Sequence, residues 1–359
     1  MTDRRTLLLA IALLALIVRL IYIWQISHAP FFHLRLGDAA AYHQWALRIV
    51  EGNWRGEGVF YQAPLYPYFL ASVYSVFGDG VAMVRFVQAI VGAGSCVLLA
   101  VAGMSLFGQW GAIAGVLLAI YPPAIFLDGL LEKTALVTFF TAGLLCLIAG
   151  RIKFREFIVG VVLGLLALTR ENALLLALPI LLWFVIAERR PRTAAIFVVG
   201  TAIVLLPVGV RNYAVGGEFH LTTSQFGPNF YIGNHSGANG LYDPLVPGHG
   251  SVADERADAT RIAEEDEGRQ LSPSEVSAYW TSRALEFIRA QPGAWLQQLA
   301  RKLALTYSSV EIADTESQEV YAEWSSLLRV LSPLSFGVLV CLAAFGMGMT
   351  AAEWRQLWF

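Results

Sequence analysis

Charge is scarce in this chain. Of its 359 residues only 14% are Asp, Glu, Lys or Arg, against 57% that are hydrophobic. A sequence so poor in charge does not coat a soluble surface, and a mean hydropathy of +0.58 puts it with polytopic membrane proteins. The net charge of -2 supplies no basic field, which speaks against nucleic acid as a partner. Cysteine is scarce too. Cys96, Cys146 and Cys341 all lie in apolar runs, with neither a disulfide framework nor zinc-ligand spacing. No internal repeat of fixed period is visible, which weighs against a transporter built on inverted repeats.

What the chain has in quantity is apolar sequence. Runs of about 17–25 residues, long enough to span a bilayer, fall near 7–27, 81–106, 111–128, 133–150, 156–171, 172–188, 193–210 and 332–352. The first follows Arg4 and Arg5, exceeds the roughly 7–15 residues of a signal-peptide core and ends in no small-residue cleavage site. It is read as a retained helix.

Basic residues in short loops set the orientation. Arg4 and Arg5, then Arg151, Lys153 and Arg155, then Arg189, Arg190 and Arg192, fall together on the cytoplasmic side only if residues 64–78 do not cross. That tyrosine-rich stretch reaches about 22 Å as a helix, short of the hydrocarbon core, and is expected to lie along the outer interface. The outer face then collects the loop 28–80, the turns around Asp128 and Glu132 and at Arg170-Glu171, and an extracytoplasmic segment 211–331. Within that segment, 216–250 reads as a loop with a short strand at 219–222, and 254–269 as a charged helix. Ser272-Pro273-Ser274-Glu275 is a capping box opening a further helix, stopped by Pro292, and another follows over 294–307. The last span is followed by a short cytoplasmic tail, completing a domain 332–359.

Several residues on the outer face are suited to chemistry. Asp38 follows Gly37 and shares a helical face with Tyr42, and it serves either as a helix cap or as a catalytic carboxylate. Glu132 at an apolar helix end either faces a polar cavity or simply sits near the interface. Its neighbour Lys133 is expected to point elsewhere, as adjacent residues of a helix do. Arg85, Arg170, Arg211 and, more weakly, Lys302 lie near outer helix ends, where arginine grips phosphate through paired hydrogen bonds or snorkels to headgroups. Tyr42, His43, Tyr66 and Glu171 complete the expected substrate pocket. No histidine pair has ligand spacing, which leaves metal binding open.

Gly37-Asp38-x-x-x-Tyr42-x-x-x-Ala46, then Pro64-Leu65-Tyr66-Pro67-x-Phe69-Leu70, then Phe77-Gly78 and Arg85-x-x-Gln88, resemble the N-terminal half of the GT-C glycosyltransferases. The resemblance is to the bacterial family-39-like members, related to protein O-mannosyltransferases and aminoarabinose transferases. Leu130-Leu131-Glu132 and the stretch from Gly164 through Thr169-Arg170-Glu171-Asn172 extend it to about residue 210, and Pro292-x-x-Trp295 with Lys302 is similar to their outer segment. Gly37-Asp38 departs from the Asp-Glu of protein O-mannosyltransferases, which speaks against protein mannosylation.

The resemblance implies an all-α polytopic membrane protein, a GT-C-like transmembrane helix bundle with interfacial helices in the first outer loop and a small outer segment. It implies an inner-membrane hexosyl- or pentosyltransferase that moves a sugar from a polyprenyl-phosphate donor to an extracytoplasmic glycan, lipid or protein acceptor. Asp38 and Glu132 take the family's two acidic positions, and a divalent metal is left open as cofactor. The competing readings are a flippase for a lipid-linked glycan and a non-catalytic subunit of an envelope assembly complex.

Overall fold

A computed structural model describes residues 3–150, 152–187, 191–309, 312 and 315–350. Arg151, Arg189 and Arg190 of the basic loops, and the tail 351–359, lie outside the described residues. Among the described residues the chain is helical, with no strand.

Among the described residues seventeen α-helices follow one another. They are α1 (Arg4–Ile26), α2 (Gly37–Val50), α3 (Leu65–Phe77), α4 (Val81–Phe107), α5 (Ile113–Ile120), α6 (Pro122–Asp128), α7 (Thr134–Ala149), α8 (Arg155–Thr169) and α9 (Ala177–Leu182). After these come α10 (Pro191–Gly216), α11 (Phe226–Gly233), α12 (Val252–Glu267), α13 (Pro273–Ala290), α14 (Pro292–Thr306), α15 (Gln318–Trp324), α16 (Ser326–Leu331) and α17 (Phe336–Met349). Among the described residues four stretches are long and apolar enough to cross a membrane: Arg4–Ile26, Val81–Ile120, Arg192–Gly216 and Ser326–Met349. Leu65–Phe77, Thr134–Ala149 and Glu171–Ile186 are shorter apolar helices.

The run 111–128, expected as one span, is broken. Tyr121 precedes a proline and is pushed to extended backbone (φ -76°, ψ 114°), so α5 ends and α6 begins at Pro122. Pro123 has no N–H to offer the Ala119 carbonyl four residues back. Arg19 of α1 takes that place, with Nη1 3.4 Å from Ala119 O, while its Nε lies 2.6 Å from Asp128 Oδ2. Asp128, read from sequence as part of an outer turn, is thus withdrawn into a buried ion pair.

Small residues set the helix spacing. A Cβ on Gly160 would stand 2.1 Å from Phe197 O, and one on Gly200 would stand 2.3 Å from Phe157 O, so α8 and α10 approach backbone to backbone. Around this core, α4 packs on α1 and α7, and α2 packs on α3. The first-loop helices bury Tyr42, Tyr66, Leu70 and Tyr74 against Val84, Leu131 and Leu136.

The outer segment has a small core of its own, in which Ala259, Val276 and Trp280 meet Tyr231. Ser272 accepts from the Glu275 amide and Glu275 reaches back to the Ser272 amide, closing the capping box of α13. The strand expected at 219–222 does not form. The carbonyls of His220 and Thr222 are taken by Asn212 Nδ2 instead, at 2.8 and 3.1 Å, which leaves no ladder for a neighbouring strand.

Candidate active site

A cavity of about 1050 Å³ opens where the first outer loop, the α6–α7 turn and the outer segment meet. Asp38, Glu132 and Arg170 all line it, as do Lys133, Gln62, Gln225, Asn229 and Glu255. Residues more than a hundred positions apart are therefore brought to one wall.

Asp38 does not cap its helix. The N-cap is Leu36, and Asp38 sits in the first turn of α2, where a carboxylate is favoured by the helix dipole. Its Oδ2 accepts from the Tyr42 hydroxyl at 3.3 Å and its Oδ1 from Gln62 Nε2 at 3.1 Å. The glycine before it is required: Gly37 has φ +51°, and a Cβ there would meet Thr315 Oγ1 at 2.9 Å. Tyr42 is fully buried, and burial first, then the charges of Asp38 and Glu132, holds its hydroxyl well above the ordinary phenol range. It stays a proton donor to Asp38.

Residues 129–133 form an irregular turn, and α7 begins only at Thr134. Adjacent side chains there need not diverge as they do on a helix. Lys133 accordingly faces the same cavity as Glu132, against the expectation that it points away, and its ammonium stands 6.0 Å from the Tyr42 ring centre. Arg170 sits at the break after α8 in extended backbone (φ -150°, ψ 107°), exposed, with no side-chain partner among the described residues.

The other expected phosphate binders are occupied elsewhere and line no part of this cavity. Arg211 lies inside α10, which runs past the expected end at 210, and its guanidinium donates to Arg55 O and to Gly58 O (2.6 Å), 3.7 Å from the Phe60 ring centre. It pins the first outer loop. Arg85 is 2% exposed and donates to Gly129 O (2.6 Å) and Phe32 O (2.8 Å). Lys302 donates to Gly233 O, beside Trp295 and Gln298, which bind Asn234 and His235 O. The Trp295…Lys302 pattern thus clamps residues 233–235.

Of the expected pocket side chains, Tyr42 braces Asp38, and Tyr66 donates to Gln88 Oε1 at 2.6 Å. Glu171 accepts from Thr223 (2.9 Å) and from Gln225, so it fixes a lining residue without lining the cavity itself. His43 turns away to Tyr74, 2.9 Å from its hydroxyl. Sequence reasoning turned Lys133 away from the cavity and missed Gln62, Gln225, Asn229 and Glu255. Most of these lie in turns or in the outer segment, without periodicity to mark them, and Glu255 was absorbed into a helix read only as charged. Its two carboxylate oxygens accept from Tyr61 (2.7 Å) and Tyr242 (2.9 Å), which holds α12 against the first outer loop.

Among the described residues no three His, Cys, Asp or Glu side chains form a metal-ligand set.

Residues 61–210 match the family model described as dolichyl-phosphate-mannose-protein mannosyltransferase. The resemblance is to the GT-C superfamily. The match covers under half of the chain and takes in Tyr66, Arg85, Glu132, Lys133 and Arg170. Asp38 and the outer segment lie outside it, so the cavity is lined in part by residues beyond the matched stretch. No curated protein and no solved structure matches the chain. Residues 61–210 are thus similar to a family of membrane glycosyltransferases, within a chain that carries several apolar helices.

Proposed function

We propose that this protein transfers a sugar from a polyprenyl-phosphate carrier to an acceptor hydroxyl on the extracytoplasmic side of a bacterial inner membrane. The observation that carries this reading is the joint lining of one cavity by Asp38, Lys133 and Arg170, alongside an apolar wall of Pro122, Pro123, Phe126 and Leu130. A lipid-linked phosphosugar has that same division into hydrocarbon, anionic and hydroxylated parts.

Asp38 accepts the proton of the acceptor hydroxyl as its oxygen bonds to the anomeric carbon. The bond from that carbon to the phosphate oxygen breaks, and its electron pair leaves with the carrier phosphate. Lys133 and Arg170 stabilise the charge that develops there. Through Tyr42 and Gln62 the carboxylate keeps one orientation, and Glu132 holds the acceptor through a second hydroxyl. A single displacement inverts the anomeric centre. Because the bond to phosphate is already activated, the side chains carry the step with no metal assigned to it.

The test is sugar transfer by the purified chain in detergent, supplied with a panel of radiolabelled polyprenyl-phosphate sugars and an envelope extract as acceptor. Asp38→Asn keeps the hydrogen bond from Gln62 but cannot take a proton, and turnover is expected to fall by about 10²–10⁴-fold. Undiminished turnover in the variant overturns the general-base role. Carrier binding without transfer from any donor favours the flippase or subunit readings.

A further inference from the structure

Outside the cavity, Gln88 of α4 is fully buried. Its Nε2 donates to Asp128 O at 2.8 Å and to Leu130 O at 2.6 Å, while its Oε1 accepts from the Tyr66 hydroxyl at 2.6 Å. Arg85, one turn earlier on the same helix, donates to the intervening carbonyl, Gly129 O, at 2.6 Å. Three consecutive carbonyls at the broken end of α6 are therefore held by two side chains of α4. Without those donors they would be orphaned in an apolar interior, at the point where the backbone leaves α6 and turns toward Glu132 and Lys133.

The other end of Gln88 reaches the first outer loop. The Tyr66 ring meets the Tyr42 ring edge to face, with centroids 5.2 Å apart, and the Tyr42 hydroxyl is bonded to Asp38. One continuous path thus runs from Asp38 through Tyr42, Tyr66 and Gln88 to the backbone of the turn bearing Glu132. Neither Gln88 nor Tyr66 lines the cavity.

We propose that Gln88 and Tyr66 are positioning residues that fix the Asp38 side of the cavity relative to the Glu132–Lys133 turn, so that general base and phosphate-binding cation meet the donor in one geometry. This rests on the glycosyltransferase reading given above. Its physical logic is that each group involved has one satisfied arrangement: the amide spends both ends, and rotating it would leave a tyrosine hydroxyl and two carbonyls unpaired in apolar surroundings.

The test uses Tyr66→Phe, which removes one hydroxyl and no ring, with Gln88→Leu as the stronger variant. Two measurements are made on the full chain in detergent. In steady-state transfer, kcat is expected to fall about tenfold for Tyr66→Phe and up to about 10²-fold for Gln88→Leu, with the donor KM unchanged, because misplacement raises the barrier without removing a substrate contact. In amide hydrogen exchange, Tyr66→Phe is expected to deprotect residues 129–133 as well as its own helix, and Gln88→Leu to deprotect 37–42. Unchanged kcat in Tyr66→Phe, or exchange changes confined to α3 in that variant, overturns the proposal. If the wild type itself transfers no sugar, the glycosyltransferase reading fails, and the exchange measurement alone decides whether the two sides are coupled.

Discussion

The Lys133 ammonium stands 6.0 Å from the centre of the Tyr42 ring, and the hydroxyl of that ring donates to Asp38 at 3.3 Å. A cation from the α6–α7 turn and a carboxylate from the first outer loop are thus placed against the same aromatic side chain. Their separation in sequence gives no hint of it.

Lys133 and Arg170 are expected to carry donor-phosphate recognition. Replacing either with alanine should weaken donor use, with kcat/KM falling by about 10–10³-fold. Binding of a polyprenyl phosphate to detergent-solubilised protein should weaken in parallel. Donor kinetics that ignore both substitutions would remove these residues from the site.

Arg211 should behave differently. Arg211→Ala strands the carbonyls of Arg55 and Gly58 and vacates the face of Phe60. The expected result is a loss of about 2 kcal/mol of stability, seen as a lower melting temperature, with polyprenyl-phosphate affinity retained in the folded fraction. The same contrast with Lys133 is expected for Lys302→Ala.

The Arg19–Asp128 pair should tolerate no added atom beside it. A Cβ on Gly92 would lie 2.1 Å from Asp128 Oδ2 and 2.5 Å from Arg19 Nε. Gly92→Ala must displace a buried ion pair or the helix that carries it, at about 3–5 kcal/mol. Loss of folded protein on size-exclusion chromatography is the readout, and a normal yield with an unshifted melt would contradict the packing.

His43 should give stability a dependence on pH. Burial, with Arg35 adding to it, holds its imidazole below the ordinary histidine range. The unfolded chain therefore binds a proton there, near a pKa of about 6.5, before the folded chain does. This contribution is present above that value and is lost as pH falls toward the depressed folded pKa. His43→Gln should flatten the difference in melting temperature between about pH 8 and pH 5; an unaltered difference would assign it to other groups.

Much of the fold was legible because apolar length is a property of sequence. The first span, the capping box of α13 and the charged helix α12 all follow from patterns within a few turns. The run 111–128 misled because hydropathy does not register that Tyr121 stands before a proline. At the site, Asp38, Glu132 and Arg170 could be singled out as charges at apolar helix ends. Arg85, Arg211 and Lys302 carry the same mark, yet each donates to backbone carbonyls far away in sequence.

The sequence by itself determined that the chain enters membranes and which few charges interrupt its apolar runs. Only the tertiary structure decided which of those charges face a common cavity and which are absorbed in holding loops. The reason is that a buried guanidinium or ammonium must satisfy its donors, and the carbonyls available to it are set by breaks and turns far away in sequence. Whether a cation is left for substrate depends on where those carbonyls come to rest.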